Sequence, residues 1–120
     1  GIASEDIGKC ALGIFKAKNE FIRKSIGIAG EHLTGAQLAE KMSRALGREV
    51  RYNDVPPDVY RGFGFPGADE MGNMFQFKRD FEKDYVGARS LELARRLNPE
   101  LRTFDQWLAA NAAKIPIETA

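Results

Sequence analysis

A chain of 120 residues, 43% of them hydrophobic, is long enough for one globular domain with a real core. Its 18 basic and 17 acidic side chains are interleaved along the sequence, which argues against nucleic acid or an anionic membrane as a partner. No apolar run approaches the roughly 20 residues of a membrane span, the N-terminus lacks a signal-peptide pattern, and a single cysteine suits a reducing compartment, so we expect a cytoplasmic protein.

The N-terminal segment has the spacing of a helix. Ser4 precedes two acidic residues, and the apolar residues that follow recur at helical intervals, which predicts a helix from Ser4 to about Lys16. Cys10 lies on its apolar face, and we interpret it as a small core residue rather than a reactive thiol. The short alternating run from Ser25 to Gly30 then predicts a buried strand.

The next segment predicts a strand, a helix and a strand in sequence. Thr34 and Gln37 form a capping box at the start of a helix that ends at Gly47. The alternation from Arg48 to Tyr52 predicts a second strand, which should lie parallel to the first. The predicted fold class is therefore α+β and mostly helical, with five to six short helices and a minimal parallel strand pair formed by a βαβ unit. Such a pair alone leaves open edges that a partner would cover.

The segment from Gly62 to Gly67 has the G-x-G-x-x-G pattern of dinucleotide-binding loops. In those loops a strand leads into a glycine turn, and a helix N-terminus holds the pyrophosphate. Here Pro56 and Pro57 predict a helical turn upstream instead of a strand, and Pro66 removes one amide that a phosphate would use. We therefore predict no phosphate binding by this loop and no cofactor for this chain alone.

The second half of the chain predicts three more helices. The first opens at Asp69 and carries a row of apolar residues on one face: Met74, Phe77, Phe81 and Tyr85. Gly87 breaks that pattern. A second helix spans Leu91 to Leu97, and a third begins after Thr103, where Gln106 completes another capping box.

Several segments together resemble the C-terminal region of the NmrA-like family of atypical short-chain dehydrogenases/reductases. The segments are Glu5–Lys9, Gly64–Ala68, Asn73–Phe75, Arg96–Pro99 and Thr103–Leu108. The resemblance covers essentially the whole chain and rests on the order and spacing of these segments. It implies that an N-terminal Rossmann domain, which carries most NADP contacts in the family, is absent here. The chain, residues 1–120, would then be a single domain corresponding to the substrate or effector cap.

Few residues offer chemistry. His32 is the only histidine, so it cannot form a metal cluster or a cysteine–histidine couple within this chain, and we place it beside the Thr34 cap. Tyr60 resembles a tyrosine beside the cleft of family members, but no Tyr-x-x-x-Lys pair of reductase type accompanies it. We therefore predict no catalytic residue and no metal ligand.

The helix that follows Gly67 has apolar residues on more than one face, and each such face must be buried against something. We expect Phe81 and Tyr85 to anchor the core, and the other face to meet a ligand, a second copy or a Rossmann domain. The predicted ligand or partner cleft consists of Tyr60, Phe65, Asn73, Met74 and Phe77. Asn73 would be its polar group.

Two functions remain open at this point. The favoured one is a non-catalytic binding or interaction domain, which would form a homodimer, with or without a swapped element, or bind a small apolar ligand. The alternative is the substrate-binding half of an NAD(P)-dependent oxidoreductase, or of an NADP-sensing regulator, whose Rossmann half is missing or supplied in trans. In neither case do we expect this chain alone to be an enzyme.

Overall fold

A computed structural model describes residues 1–118 of the chain. The helices are α1 Ser4–Lys16, α2 Gly35–Leu46, α3 Pro57–Arg61, α4 Ala68–Asp80, α5 Glu82–Gly87, α6 Leu91–Leu97 and α7 Phe104–Asn111, followed by a short 3-10 helix, Ala112–Lys114. The chain forms two compact units. Unit 1 contains residues 1–52 and the segment from residue 89 onward, and unit 2 contains residues 53–88.

The predicted parallel strand pair is wrong, because residues 1–118 contain no strand or sheet. The backbone groups of both segments have other partners. The N–H groups of Gly30 and Glu31 donate to the carbonyl oxygen of Gly1, at 2.8 and 3.3 Å. The Ser43 hydroxyl accepts from the Val50 N–H at 2.8 Å and donates to the Ala39 carbonyl, also at 2.8 Å. Two strands alone are marginally stable, and here these local contacts replace a ladder.

The alternation from Ser25 to Gly30 nevertheless indicated burial correctly. Ile26 and Ile28 both pack against the core of unit 1, as residues two apart in an extended segment can. Ala29, which points to the other side of an extended segment, is buried as well, at 4% exposure. The pattern therefore indicated a buried segment, but it could not show whether another strand would lie beside it.

The core of unit 1 lies between α1 and α6. Its buried residues are Cys10, Ala94, Leu97 and Leu101. The two helices approach closely at Gly13, where a Cβ atom would lie only 2.2 Å from the carbonyl oxygen of Leu97. Glycine is therefore required at this crossing, because any side chain would collide with the backbone of α6.

Local capping signals set the ends of two helices, as predicted. The Thr34 hydroxyl accepts from the Gln37 N–H at 3.2 Å, and the Gln37 side chain accepts from the Thr34 N–H at 2.9 Å. Gly47 ends α2 in the left-handed conformation, with φ of 63°. Thr103 and Gln106 form the same reciprocal pair at the start of α7.

Unit 2 consists of α3, α4 and α5. The predicted helix from Asp69 through Tyr85 is interrupted at Phe81, whose φ of −116° and ψ of 37° are not helical, so α4 and α5 are separate. With this break, the described residues contain seven α-helices rather than five or six. Phe81 is also 52% exposed and does not anchor a core. Burial within unit 2 is confined to the small residues Ala68 and Gly72.

Candidate functional site

Tyr60 lies at the centre of an aromatic cluster in unit 2. Its ring centroid lies 5.5 Å from that of Phe63, 5.7 Å from that of Phe65 and 5.3 Å from that of Phe75, and the last two pairs meet edge to face. The Tyr60 hydroxyl lies 3.9 Å from the Met71 sulfur. The cluster joins α3, the glycine-rich loop and α4. It brings together two residues of the predicted cleft, Tyr60 and Phe65, but their rings pack against each other and leave little space between them.

Asn73 faces a polar network rather than an apolar pocket. The guanidinium of Arg61 donates to the Asn73 side-chain oxygen at 3.1 Å and to that of Gln76 at 2.8 Å. The same group pairs with Asp58 one turn earlier. Arg61 was not among the predicted site residues, although its spacing of three residues from Asp58 on a short helix was a usable signal.

The remaining predicted residues, Met74 and Phe77, lie on an open face of α4. Met74 is 40% exposed, Phe77 is 49% exposed, and the Phe77 ring stacks on Phe81 with centroids 5.2 Å apart. At 100° per residue, Met74 and Phe77 are rotated away from Phe75, which contacts Tyr60 in the aromatic cluster. We call Met74, Phe77 and Phe81 the open apolar face.

The residues before the glycine-rich loop form a helical turn, as predicted. A helix, α3, precedes the loop where a dinucleotide-binding site would have a strand. Gly64 and Gly67 adopt left-handed conformations, with φ of 72° and 88°, and α4 begins directly afterwards. Two carboxylates, Asp69 and Glu70, lie in the first turn of α4. Their charge opposes the binding of an anion at this helix N-terminus.

Two side chains of unit 1 with reactive groups, Cys10 and His32, are buried or hydrogen-bonded. Cys10 is completely buried, and this burial, together with the nearby Asp6 carboxylate, raises the pKa of its thiol. His32 lies two residues before the Thr34 cap, and its side chain forms a hydrogen bond with a residue far along the chain. Its Nε2 lies 2.8 Å from the carbonyl oxygen of Arg89, so the ring nitrogen donates to it. Within residues 1–118, no group of three or more His, Cys, Asp or Glu side chains could hold a metal ion.

Unit 1 also contains a cavity of about 360 Å³, which no pattern in the sequence predicted. Its apolar walls are Ile2, Leu33, Leu38, Phe104 and Trp107. These residues come from three distant stretches of the chain, and only the fold brings them together. The sequence shows the two capping boxes at the starts of α2 and α7. A capping box determines only where a helix begins, and it does not predict a cavity between two helices.

None of the helices in residues 1–118 has both the length and the apolar character needed to cross a membrane.

Comparison with known proteins places the chain beside one protein family and several curated relatives, two of which are described here. The model of the NmrA-like family matches residues 2–108. Prestalk A differentiation protein A from Dictyostelium discoideum is 29% identical over 86 residues, which cover 66% of this chain and 28% of that protein. The NmrA-like family domain-containing oxidoreductase lnbB from Aspergillus flavus is 26% identical over 125 aligned positions, which cover 92% of this chain and 37% of that protein. The chain thus spans about a third of the length of these relatives.

Proposed function

The chain belongs to the NmrA-like family, and from that premise we propose that it is a non-catalytic binding domain that associates with a second copy of itself through the open apolar face of α4. The observation that carries this proposal is the exposure of Met74, Phe77 and Phe81, each between 40% and 52%. Aromatic and methionine side chains are enriched in the cores of protein interfaces. Their removal from water would favour association.

The two sides of α4 differ in a way that supports this role. Met71 and Phe75 contact Tyr60 within unit 2. The Phe77 ring instead stacks on that of Phe81, which is about as exposed as Phe77 itself. A two-fold axis would place the same face of each copy against the other and bury both stacked pairs.

The state of the reactive side chains is consistent with binding rather than catalysis. The Cys10 thiol is buried, and its raised pKa disfavours the thiolate. The His32 ring donates to a backbone carbonyl, and Tyr60 is packed among three phenylalanines. Each of these groups therefore contributes to packing or to a structural hydrogen bond.

Sedimentation velocity tests the proposal. The wild-type chain should sediment as a dimer at high micromolar concentration, and Phe77→Ser should shift it toward the mass of a monomer. Phe15→Ser is the matched control, because Phe15 is 79% exposed on α1 and lies outside the open face. This control should remain dimeric. A wild-type chain that is strictly monomeric at high micromolar concentration would contradict the proposal.

A second candidate function is the substrate-binding part of an NAD(P)-dependent oxidoreductase or NADP-sensing regulator. The alignment of 92% of this chain with part of a protein named as an oxidoreductase favours it. In that arrangement the open apolar face would contact a nucleotide-binding domain instead of a second copy. A monomeric chain that binds a separately expressed NmrA-like nucleotide-binding domain, and loses that binding with Phe77→Ser, would support this candidate over the first.

Titration calorimetry with NADPH tests the nucleotide question directly. We expect no measurable heat of binding by this chain alone, because α3 rather than a strand precedes the glycine-rich loop and two carboxylates follow it. A dissociation constant in the micromolar range that Gly64→Val abolishes would restore a nucleotide site in this loop. Gly64 has φ of 72°, so a β-branched residue there would distort the loop.

A further inference from the structure

We propose that the cavity of unit 1 binds a small, uncharged ligand with flat aromatic rings. The cavity is formed entirely by residues of unit 1 and uses none of the residues of the open apolar face. Its volume of about 360 Å³ falls within the range of roughly 300–1,000 Å³ that is typical of small-molecule sites. This binding site would be independent of the self-association proposed above.

The shape of the ligand follows from the aromatic wall. Phe104 and Trp107 lie on the same side of α7, with ring centroids 6.1 Å apart and planes only 10° from parallel. Both rings line the cavity, and aliphatic side chains of Leu33 and Leu38 line it elsewhere. Flat aromatic surfaces pack favourably against rings in offset-stacked or edge-to-face arrangements. A ligand with fused or linked aromatic rings therefore fits this wall.

The charge of the ligand follows from the polar groups at the cavity. Arg102 lines it, but its guanidinium already donates to Glu5 at 3.1 Å and to Asp6 at 3.4 Å. Glu31 also lines it, and its carboxylate accepts from the backbone N–H of Phe104 at 3.0 Å. A negatively charged ligand would lose its hydration without gaining an unpaired side-chain cation, because Arg102 is already paired with two carboxylates, and this loss is unfavourable. An uncharged ligand avoids that loss.

The cavity walls are held in place by contacts that do not depend on a ligand. The Gly30 N–H donates to the Gly1 carbonyl at 2.8 Å, which joins two of the three stretches that line the cavity. The Arg102 N–H donates to the buried Asp6 carboxylate at 3.1 Å, which ties the third stretch to the start of α1. A preformed site spares the ligand the cost of ordering the protein on binding.

The test uses two fluorescent probes that share a ring system and differ in charge. N-Phenyl-1-naphthylamine is uncharged, and 8-anilino-1-naphthalenesulfonate carries a sulfonate on the same framework. Trp107 is the only tryptophan and lines the cavity. We expect the uncharged probe to quench Trp107 emission on binding and to bind at least tenfold more tightly than the sulfonate. Equal or reversed affinities would overturn the proposal.

A pair of substitutions on α2 locates the bound probe. Leu38→Glu places a carboxylate on the cavity wall at a side chain that is 38% exposed, and it should weaken binding of the uncharged probe at least tenfold. Ala36→Glu makes the same change in charge on the same helix at an exposed residue outside the cavity lining, and should leave binding unchanged. Leu38→Met, which stays apolar, should retain it and guards against a loss of fold in Leu38→Glu.

The same measurements separate this inference from the proposed function. Phe77→Ser should leave probe binding unchanged even where it abolishes the dimer, and Leu38→Glu should leave the dimer intact. Probe binding that Leu38→Glu does not affect, or that Phe77→Ser removes, would place the probe outside the cavity and overturn the inference.

Discussion

The carboxylate of Asp6 accepts a hydrogen bond from the backbone N–H of Arg102, 96 residues later in the chain, at 3.1 Å. The Asp6 side chain is completely buried, and its other oxygen lies 3.4 Å from the side-chain nitrogen of the buried Asn98. One carboxylate thus joins the start of α1 to the segment between α6 and α7. This contact holds together two stretches that line the unit 1 cavity.

Asp6→Ala should destabilise the fold strongly. It leaves two donors, the Arg102 N–H and the Asn98 side chain, without their acceptor, and each buried unsatisfied donor costs about 1–3 kcal/mol. Denaturant unfolding monitored by Trp107 fluorescence measures the loss. Glu5→Ala is the control, because Glu5 contacts the same Arg102 from an exposed position, and it should leave stability nearly unchanged. Equal effects of the two substitutions would contradict this account.

Two glycines of α1 should respond in opposite ways to alanine. Gly13→Ala places a Cβ atom 2.2 Å from the Leu97 carbonyl oxygen, so α1 and α6 must separate, at a cost of about 1–3 kcal/mol or more. Gly8→Ala meets no atom within 4 Å and should stabilise the helix by about 0.5–1 kcal/mol. Thermal melts of the two variants would show shifts of opposite sign. A stabilising effect of Gly13→Ala would mean that the two helices pack less closely than described.

Phe81→Ala should cost much less than the loss of a buried aromatic residue. Replacing a fully buried phenylalanine with alanine lowers the free energy of unfolding by about 3–5 kcal/mol. Phe81, however, is half exposed, and its ring stacks on that of Phe77. We expect a loss of about 0.5–1.5 kcal/mol, which is typical of an aromatic pair. Leu108→Ala provides the contrast, since Leu108 is buried to 1% exposure and should cost about 2–5 kcal/mol. Calorimetry of monomeric samples compares the two, and a loss at Phe81 as large as at Leu108 would show that Phe81 is core.

Cys10 should react slowly with thiol reagents in the folded protein. Burial, with a further contribution from the charge of Asp6, raises the pKa of this thiol above its usual 9.0, so little thiolate forms at pH 8 and the reagent cannot reach it. Modification by dithionitrobenzoate should be about a hundredfold slower than for an exposed thiol, because it requires local opening of the fold. Lys24→Cys in a Cys10→Ala background supplies that exposed thiol. Comparable rates for the two would indicate an accessible Cys10.

The pair formed by Lys9 and Glu100 should respond to pH. The Lys9 ammonium donates to Glu100 at 2.6 Å and, chiefly through this hydrogen bond, lowers the pKa of that carboxyl below its usual 4.5. Because the pKa is lower in the folded than in the unfolded state, the pair stabilises the fold above the unfolded pKa. That stabilisation is lost as the pH falls through the folded pKa.

Lys9→Gln should therefore raise the pKa of Glu100 toward 4.5, measured by NMR titration of its carboxyl carbon. Lys16→Gln on the same helix is the control and should leave that pKa unchanged. An unchanged Glu100 pKa in Lys9→Gln would mean that the two side chains do not pair in solution.

The sequence alone determined the helices whose signals are local. The capping boxes at Thr34 and Thr103 and the helical turn after Pro56 all have counterparts in the structure. Each depends on hydrogen bonds and backbone angles within a few residues, so the sequence contains everything that such a prediction requires. The resemblance to the NmrA-like family, which rests on the order and spacing of five short segments along the chain, agrees with the match of the family model to residues 2–108.

Only the tertiary structure decided whether the extended segments pair and where a cavity forms. The alternation around Ile26 predicted a buried segment, and Ile26 packs against the core of unit 1. A strand also needs a partner for its backbone, however, and the Gly30 N–H donates to Gly1 instead. The cavity between Ile2, Leu38 and Trp107 likewise depends on contacts between distant stretches of the chain. Contacts between residues far apart in sequence depend on how the helices pack, and no local pattern of residues encodes that packing.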